Sequence, residues 1–453
     1  VPSDQRNNDL LTQPIKPTLR RMTIPMVMGM IALMSFNLVD TFFIGLLGTD
    51  ELAAVSFTFP ITFTLISLTI GLGVGTSAVI AKTLGSGQQD KAHIQATSAL
   101  LLSIVLVCAL ALLGYLIIDP LFILLGSEAN TLVHIQDYMQ IWYAGAVFLA
   151  LPMIGNAILR AAGDTKTPSS IMAFGGLINA VLDPILIFGF GPFPAMGIQG
   201  AAIASVISWI VSSSVLIYLL SVQRGLIEFK IPGYARLKES TLSILKIGLP
   251  AAGANMLTPI AMSILTAIIA GYGHEAVAAF GVGQRIESIA CILVLALSMT
   301  LPPFVSQNIG ANQPNRVVES YQLSCRFVMI WQFVVYVLLA ILAPFIAQVF
   351  SDDPSVQHLI CTFIWILPLA YGLQGIVILT NSSFNALHQP MISVQLSILR
   401  LFVFYLPCAY IGGLIGGIIG LFAGCVFANL CMASVSYFRF ARYFKQTQSG
   451  VAV

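Results

Sequence analysis

Asp40 and Asp183 each stand as the only charged residue in a long apolar run. An acidic side chain at mid-bilayer costs roughly 2.5–3.5 kcal/mol on insertion scales, so each carboxyl needs a partner or a task. Asn179 precedes Asp183 by one helical turn, which puts its amide and the carboxyl on one helix face. Pro184 follows directly; lacking an N–H, it leaves the carbonyl of Ala180 without its helical partner and bends the helix. Tyr138 and Asn156, near the start and end of another apolar run, are further candidates for the same polar cluster. Two neighbouring carboxylates in a poorly solvated pocket stay ionised together only at high cost, which is the arrangement of a proton or cation site. The same residues also suit a purely structural polar network, or an aspartate capping a broken helix.

A second group of intramembrane charges comprises Arg285, Glu287 and Arg400. Arg285 and Glu287 are two residues apart and do not face each other on a helix. Glu287 is therefore expected to pair with Arg400 from another run, as an ion pair bracing the second half of the chain or as a separate polar site. The seven cysteines lie in or beside apolar runs, without a CxxC pair or clustered histidines. They read as small buried hydrophobes, and no metal or cofactor is expected beyond a coupling H+ or Na+.

The elements that must position these groups follow from composition. Hydrophobic residues make up 58% of the 453 and charged residues 8%, with a mean hydropathy of +0.93. Soluble domains carry about 25% charged residues, so lipid is the solvent for most of this surface. Apolar runs long enough to cross a bilayer predict an all-α integral membrane protein with twelve transmembrane helices: 23–47, 52–80, 94–118, 131–156, 169–189, 198–222, 243–271, 276–303, 318–343, 356–384, 391–413 and 416–440. With both tails inside, all of the 20 basic residues except Arg285 and Arg400 fall on the inner side or in adjoining helix ends. The outer loops then hold only acids such as Asp50, Glu51, Glu128, Glu275, Asp352 and Asp353, as the positive-inside rule requires. The polar first twenty residues end in Arg20-Arg21 and read as a cytoplasmic tail rather than a signal peptide. A bacterial inner-membrane monomer is expected, with no nucleic-acid partner.

At a shift of 225 residues, Ile24-Pro25 meets Leu249-Pro250, Leu52-Ala53-Ala54-Val55 meets Val277-Ala278-Ala279-Phe280, and Leu84-Gly85 meets Ile309-Gly310. Asp90-Lys91 meets Asn315-Arg316 at the same shift, and Arg160-Ala161 meets Asn385-Ala386. The chain is thus two six-helix lobes related by an internal repeat, inserted with the same orientation, as in transporters that handle substrate between lobes. The boundaries read as a cytoplasmic tail 1–22, an N-lobe 23–222, a linker 223–242, a C-lobe 243–440 and a tail 441–453. Asp40 meets Leu265 across the repeat, and Asp183 falls near Phe404 or Tyr405, so the acids belong to the N-lobe alone. Gly71-Leu72-Gly73-Val74-Gly75 lacks the GK[ST] of a phosphate loop and suits close helix packing in lipid. Gly412-Gly413 through Gly416-Gly417 marks a tight turn before the last span.

Leu84-Gly85-Ser86-Gly87 before the third span and Arg160-Ala161-Ala162-Gly163-Asp164-Thr165-Lys166-Thr167-Pro168 before the fifth resemble multidrug and toxic compound extrusion (MATE) transporters, of the DinF-like branch. The resemblance covers essentially residues 20–445. It implies an N-lobe cation site at Asp40, Asn179 and Asp183, with Tyr138 and Asn156 beside it and a bend at Pro25. A threonine that the branch supplies on span six is replaced by the Ala201-Ala202 stretch, where Ser205 is the nearest hydroxyl; the acids that NorM-type relatives carry on spans seven and ten are absent. The function expected is a secondary antiporter exporting amphipathic, mostly cationic organic compounds in exchange for protons, with protonation of Asp40 and Asp183 triggering release. Alternatives are a sodium-coupled version, a lipid-linked oligosaccharide flippase, and, from another class, an intramembrane aspartyl enzyme.

Overall fold

The computed structural model describes residues 9–127, 129–227 and 232–448; Arg6, Glu128 and Lys230 lie outside them. The described chain is helical almost throughout. In order come α1 (Ile15–Gly45), α2 (Thr49–Gly85), α3 (Gln89–Leu116), the short α4 (Ile118–Leu124), α5 (Ala129–Ala161), α6 (Lys166–Phe188) and α7 (Gly197–Tyr218). After these follow α8 (Tyr234–Ala270), α9 (His274–Ala290), α10 (Ile292–Gly310), α11 (Pro314–Phe350), α12 (Pro354–Ile366), α13 (Tyr371–Ala386), α14 (Pro390–Ile398) and α15 (Leu406–Gln448).

Eleven stretches among the described residues are long and apolar enough to cross a membrane. The last of them, Pro390–Gln446, folds back on itself at Gly416–Gly417, where both backbones leave helical geometry. Gly417 has φ +60°, a region open chiefly to glycine. Beyond the turn Gly412 lies against the Gly420 carbonyl and Gly424 against that of Cys408, so the two limbs run antiparallel with no room for a β-carbon. Counting both limbs gives twelve traverses. Large apolar side chains such as Val105, Leu124, Phe345 and Ile415 project outward, as lipid-facing residues must.

The chain divides into two compact units: Val1–Gln13 with Arg20–Ala252, and Pro14–Leu19 with Gly253–Val453. Their helices repeat in register. The second unit's α9 and α10 together run from His274 to Gly310, against Thr49–Gly85 for α2; α12 through α13 runs from Pro354 to Ala386, against Ala129–Ala161 for α5. The turns repeat too. Gly87 at φ +76° corresponds to Asn312 at φ +55°, and Gly163 at φ +78° to His388 at φ +61°. Such left-handed turns close helix C-termini by donating to carbonyls four or five residues back: Asp164 N–H donates to Leu159, and Gln389 N–H to Phe384.

The first unit is held by close helix approach, because lipid supplies no hydrophobic drive between helices. Gly71 meets the backbone of Gly248 and Ala252 on α8, and Gly75 meets Ile244. The glycine run of α2 is therefore a packing surface. Asp164, 4% exposed, caps α6 by accepting from the Thr167 N–H and hydroxyl, and takes an ion pair from Arg224 at 2.5 Å. That accounts for the Gly163-to-Thr167 motif. Several boundaries depart from the sequence expectation: α8 begins at Tyr234, inside the expected linker, and α15 runs to Gln448, inside the expected tail. Helix α1 begins at Ile15, not near residue 23, because Ile15, Thr18, Leu19, Met22 and Met26 form one buried stripe at helical spacing.

Candidate functional site

Helices α1 and α6 meet closely in the first unit. A β-carbon at Gly29 would lie 2.9 Å from the Ser169 Cα, and the Phe36 ring stands over Gly176. Further along the same two helices, the Asp40 and Asp183 carboxyls come within hydrogen-bonding reach of each other. Asp183 is completely buried and Asp40 half-buried. Asn179 Nδ2 donates to Asp183 Oδ1 at 3.2 Å and to Ser205 Oγ of α7 at 3.3 Å. Ser208, one turn along α7, donates to the Gly175 carbonyl at 2.6 Å, fixing α7 against α6 where glycine leaves space. Tyr138 of α5 lies within electrostatic range of both aspartates.

The structure brings four of the expected residues together: Asp40, Asn179 and Asp183 in one cluster, with Tyr138 in electrostatic range of it. Ser205 fills the hydroxyl position for which the span-six alanines offered nothing. Asn156 does not join. It lies on the same helix as Tyr138, roughly 27 Å further along at 1.5 Å per residue, and is buried there. Helix α1 passes through Pro25 unbroken, and α6 continues through Pro184 to Phe188.

Two carboxyl groups can hydrogen-bond to each other only when a proton is present, because an ionised carboxylate has acceptors and no donor. Asp40 Oδ1 and Asp183 Oδ2 are buried and accept no hydrogen bond from the described residues. The cluster thus presents free oxygens that suit a proton, or a small cation with Asn179 and Ser205 as additional oxygen donors. No group of three or more His, Cys, Asp or Glu side chains that would hold a metal occurs among the described residues.

The second unit requires a correction. Glu287 does not form an ion pair with Arg400: among the described residues no carboxylate lies within salt-bridge distance of that guanidinium. The Gln374 amide takes the carboxylate instead, donating to Glu287 Oε1 at 2.9 Å, and Arg400 stays within Coulombic range only. Arg285 is exposed on another face of α9, as its two-residue offset from Glu287 dictates. Tyr371 and Gln374, which sequence reasoning missed, are polar residues one turn apart in an otherwise apolar span; that spacing was their signal.

The sequence profile of the MatE family matches the chain twice, over residues 25–185 and 250–411, and these stretches start 225 residues apart. The chain belongs to the MATE family. It is a multi-pass membrane transporter and not an enzyme, which sets aside the intramembrane aspartyl-enzyme reading of the pair. An FAD transporter of Shewanella oneidensis is 42% identical over 95% of both chains. A probable multidrug resistance protein of Bacillus subtilis, YoeA, is 27% identical over 81% of this chain and 80% of its own. The MATE transporter VcmN of Vibrio cholerae, crystallised in a bent form, superimposes with a TM-score of 0.91 at 31% identity, covering 98% of both chains.

Proposed function

We propose that this MATE transporter is a proton-driven antiporter in the cytoplasmic membrane of a bacterium, with both termini inside, working as a monomer. Its coupling site is the Asp40–Asp183 pair, and that close carboxyl pair carries the reading. With one proton shared, the pair draws α1 onto α6. With both groups ionised, like charges in a dry site repel, and α1 moves away by bending near Pro25. Proton arrival and departure thereby become a displacement of one helix, with Asn179, Ser205 and Tyr138 holding the pair in place. The N-lobe position of the acids favours the DinF-like branch.

The first cargo we assign is an aromatic dinucleotide of the FAD type, on the strength of the Shewanella relative's near-complete coverage. Export of amphipathic, mostly cationic compounds is the second reading. It is favoured by free carboxylate oxygens at Asp40 and Asp183, which attract a cation when ionised and release it when protonated, and by the Bacillus relative. Proteoliposomes loaded with FAD or with a cationic dye, under an imposed proton or sodium gradient, decide these points. The expected result is FAD efflux under the proton gradient alone. Efflux of dye but not FAD would move the assignment to drug export, and movement under sodium alone would replace the coupling ion.

A further inference from the structure

The second unit carries an intramembrane cation that the coupling scheme does not use. Arg400 lies about 15 Å along the span that starts at Pro390. A guanidinium at such depth is costly unless paired. Its Nε is buried and has no hydrogen-bond partner, and no carboxylate reaches it. Within electrostatic range of the same Glu287, the Tyr371 hydroxyl is also buried and unpartnered, in a side chain only 2% exposed. Gln374, from the same helix as Tyr371, is turned toward Glu287.

Every helix that supplies this cluster departs from α geometry where it does so. The α9–α10 helix is broken at Cys291, one turn beyond Glu287, and Gln332 of α11 donates to the freed Ala290 carbonyl at 3.0 Å. The span carrying Tyr371 and Gln374 passes through a 3-10 turn, Leu367–Ala370, immediately before Tyr371. The span carrying Arg400 is π-helical from Leu399 to Tyr405. The repeat counterparts α2, α5 and α6 run without a break. Local wide or tight turns inside transmembrane helices re-aim side chains and concentrate at functional sites.

We propose that Arg400 and Tyr371, with the Gln374 amide beside them, form an oxyanion-binding site for a phosphate or carboxylate group of the transported molecule. The planar guanidinium suits two oxygens of one phosphate, and the Tyr371 hydroxyl adds a third donor. Glu287 is the resident counter-charge: too far for an ion pair, it offsets Arg400 in the empty site and weakens the hold on a bound anion, so that cargo can leave. The site stands on the geometry of the second unit; assigning its anion to a flavin nucleotide rests on the reading above.

FMN and riboflavin differ by one phosphate, and quenching of flavin fluorescence reports the binding of each to the purified full chain. We expect the wild type to bind FMN at least tenfold more tightly than riboflavin, with inorganic pyrophosphate competing. Arg400→Gln should erase that preference, Arg400→Lys should retain part of it, and Glu287→Gln should tighten FMN binding severalfold. Competition by citrate as strong as that by pyrophosphate would assign the oxyanion to a carboxylate and still support the site. Equal affinities for FMN and riboflavin with no competition by either anion would overturn it, as would a preference that survives in Arg400→Gln. Should Arg400→Gln fail to fold, Tyr371→Phe and Glu287→Gln decide, with weaker and tighter FMN binding expected respectively; no change in either overturns the proposal. Where neither flavin binds, thermal stabilisation by pyrophosphate that is weaker in Arg400→Lys and Tyr371→Phe than in wild type supports the site, and its absence in wild type overturns it. Absence of FAD transport alongside pyrophosphate binding that depends on Arg400 would remove the cargo assignment and leave the site standing.

Discussion

The two units share helix ends and turns yet treat their buried polar groups in opposite ways. In the first, α1 and α6 carry Asp40 and Asp183 on continuous helices, and two glycines of α6 admit the neighbouring side chains. In the second, the helices around Glu287 and Arg400 are broken at Cys291, tightened at Leu367–Ala370 and widened at Leu399–Tyr405. Duplication preserved the frame, and the two copies then diverged where the chemistry sits. An acid pair that takes a proton works by moving whole helices against each other, which rewards intact ones. A site that grips a bulky anion needs side chains aimed inward from several directions, which local breaks provide.

Substitutions test this contrast, beginning with those of largest effect. Asp183→Asn keeps the shape of the side chain and removes its charge cycle. Transport against a gradient should fall by about two orders of magnitude, and the Asp40→Asn/Asp183→Asn double variant should be little worse, since groups acting as one unit are not additive. Efflux from proteoliposomes measures both; additive losses would mean that the two acids act separately. Gly71→Val puts side-chain carbons against the Gly248 backbone, and overpacking of this kind costs about 1–3 kcal/mol. A thermal melt in detergent should show the loss, while the matching Gly281→Val, in open space, should leave the melt unchanged.

Pro25→Ala restores a backbone donor to α1 and stiffens it, so turnover should drop about tenfold while cargo binding survives. Unchanged turnover would take the bend at Pro25 out of the cycle. Ser205→Ala removes one hydroxyl from Asn179; a hydrogen bond is worth about 1 kcal/mol, so activity should fall by about fivefold. A loss as large as that of Asp183→Asn would make Ser205 a member of the coupling site proper.

Much of this was legible in the sequence because lipid enforces simple rules. Helix ends followed from polar punctuation, the repeat from pairs such as Leu84-Gly85 with Ile309-Gly310 and Arg160-Ala161 with Asn385-Ala386, and the Asn179–Asp183 pairing from a one-turn spacing. The early start of α1 was written in the stripe from Ile15 to Met26, which Arg20 and Arg21 obscured in a reading by composition. Asn156 was misplaced because a polar residue in the right helix says nothing of its height unless its distance from Tyr138 is measured. The breaks around Arg400 were not legible. They depend on tertiary partners such as Gln332, whose amide satisfies a carbonyl on another helix, and no local pattern at Cys291 or Leu399 announces them.

The central claim is that protons cross through the Asp40–Asp183 pair. It is tested most directly by trapping a pH-sensitive dye inside proteoliposomes and adding cargo to the opposite face, with no other gradient imposed. For the wild type, cargo uptake should drive a counterflow of protons that changes the internal pH, and for Asp40→Asn cargo should bind without moving a proton. A cargo-driven pH change of wild-type size in Asp40→Asn would contradict the account and place the coupling proton elsewhere in the molecule.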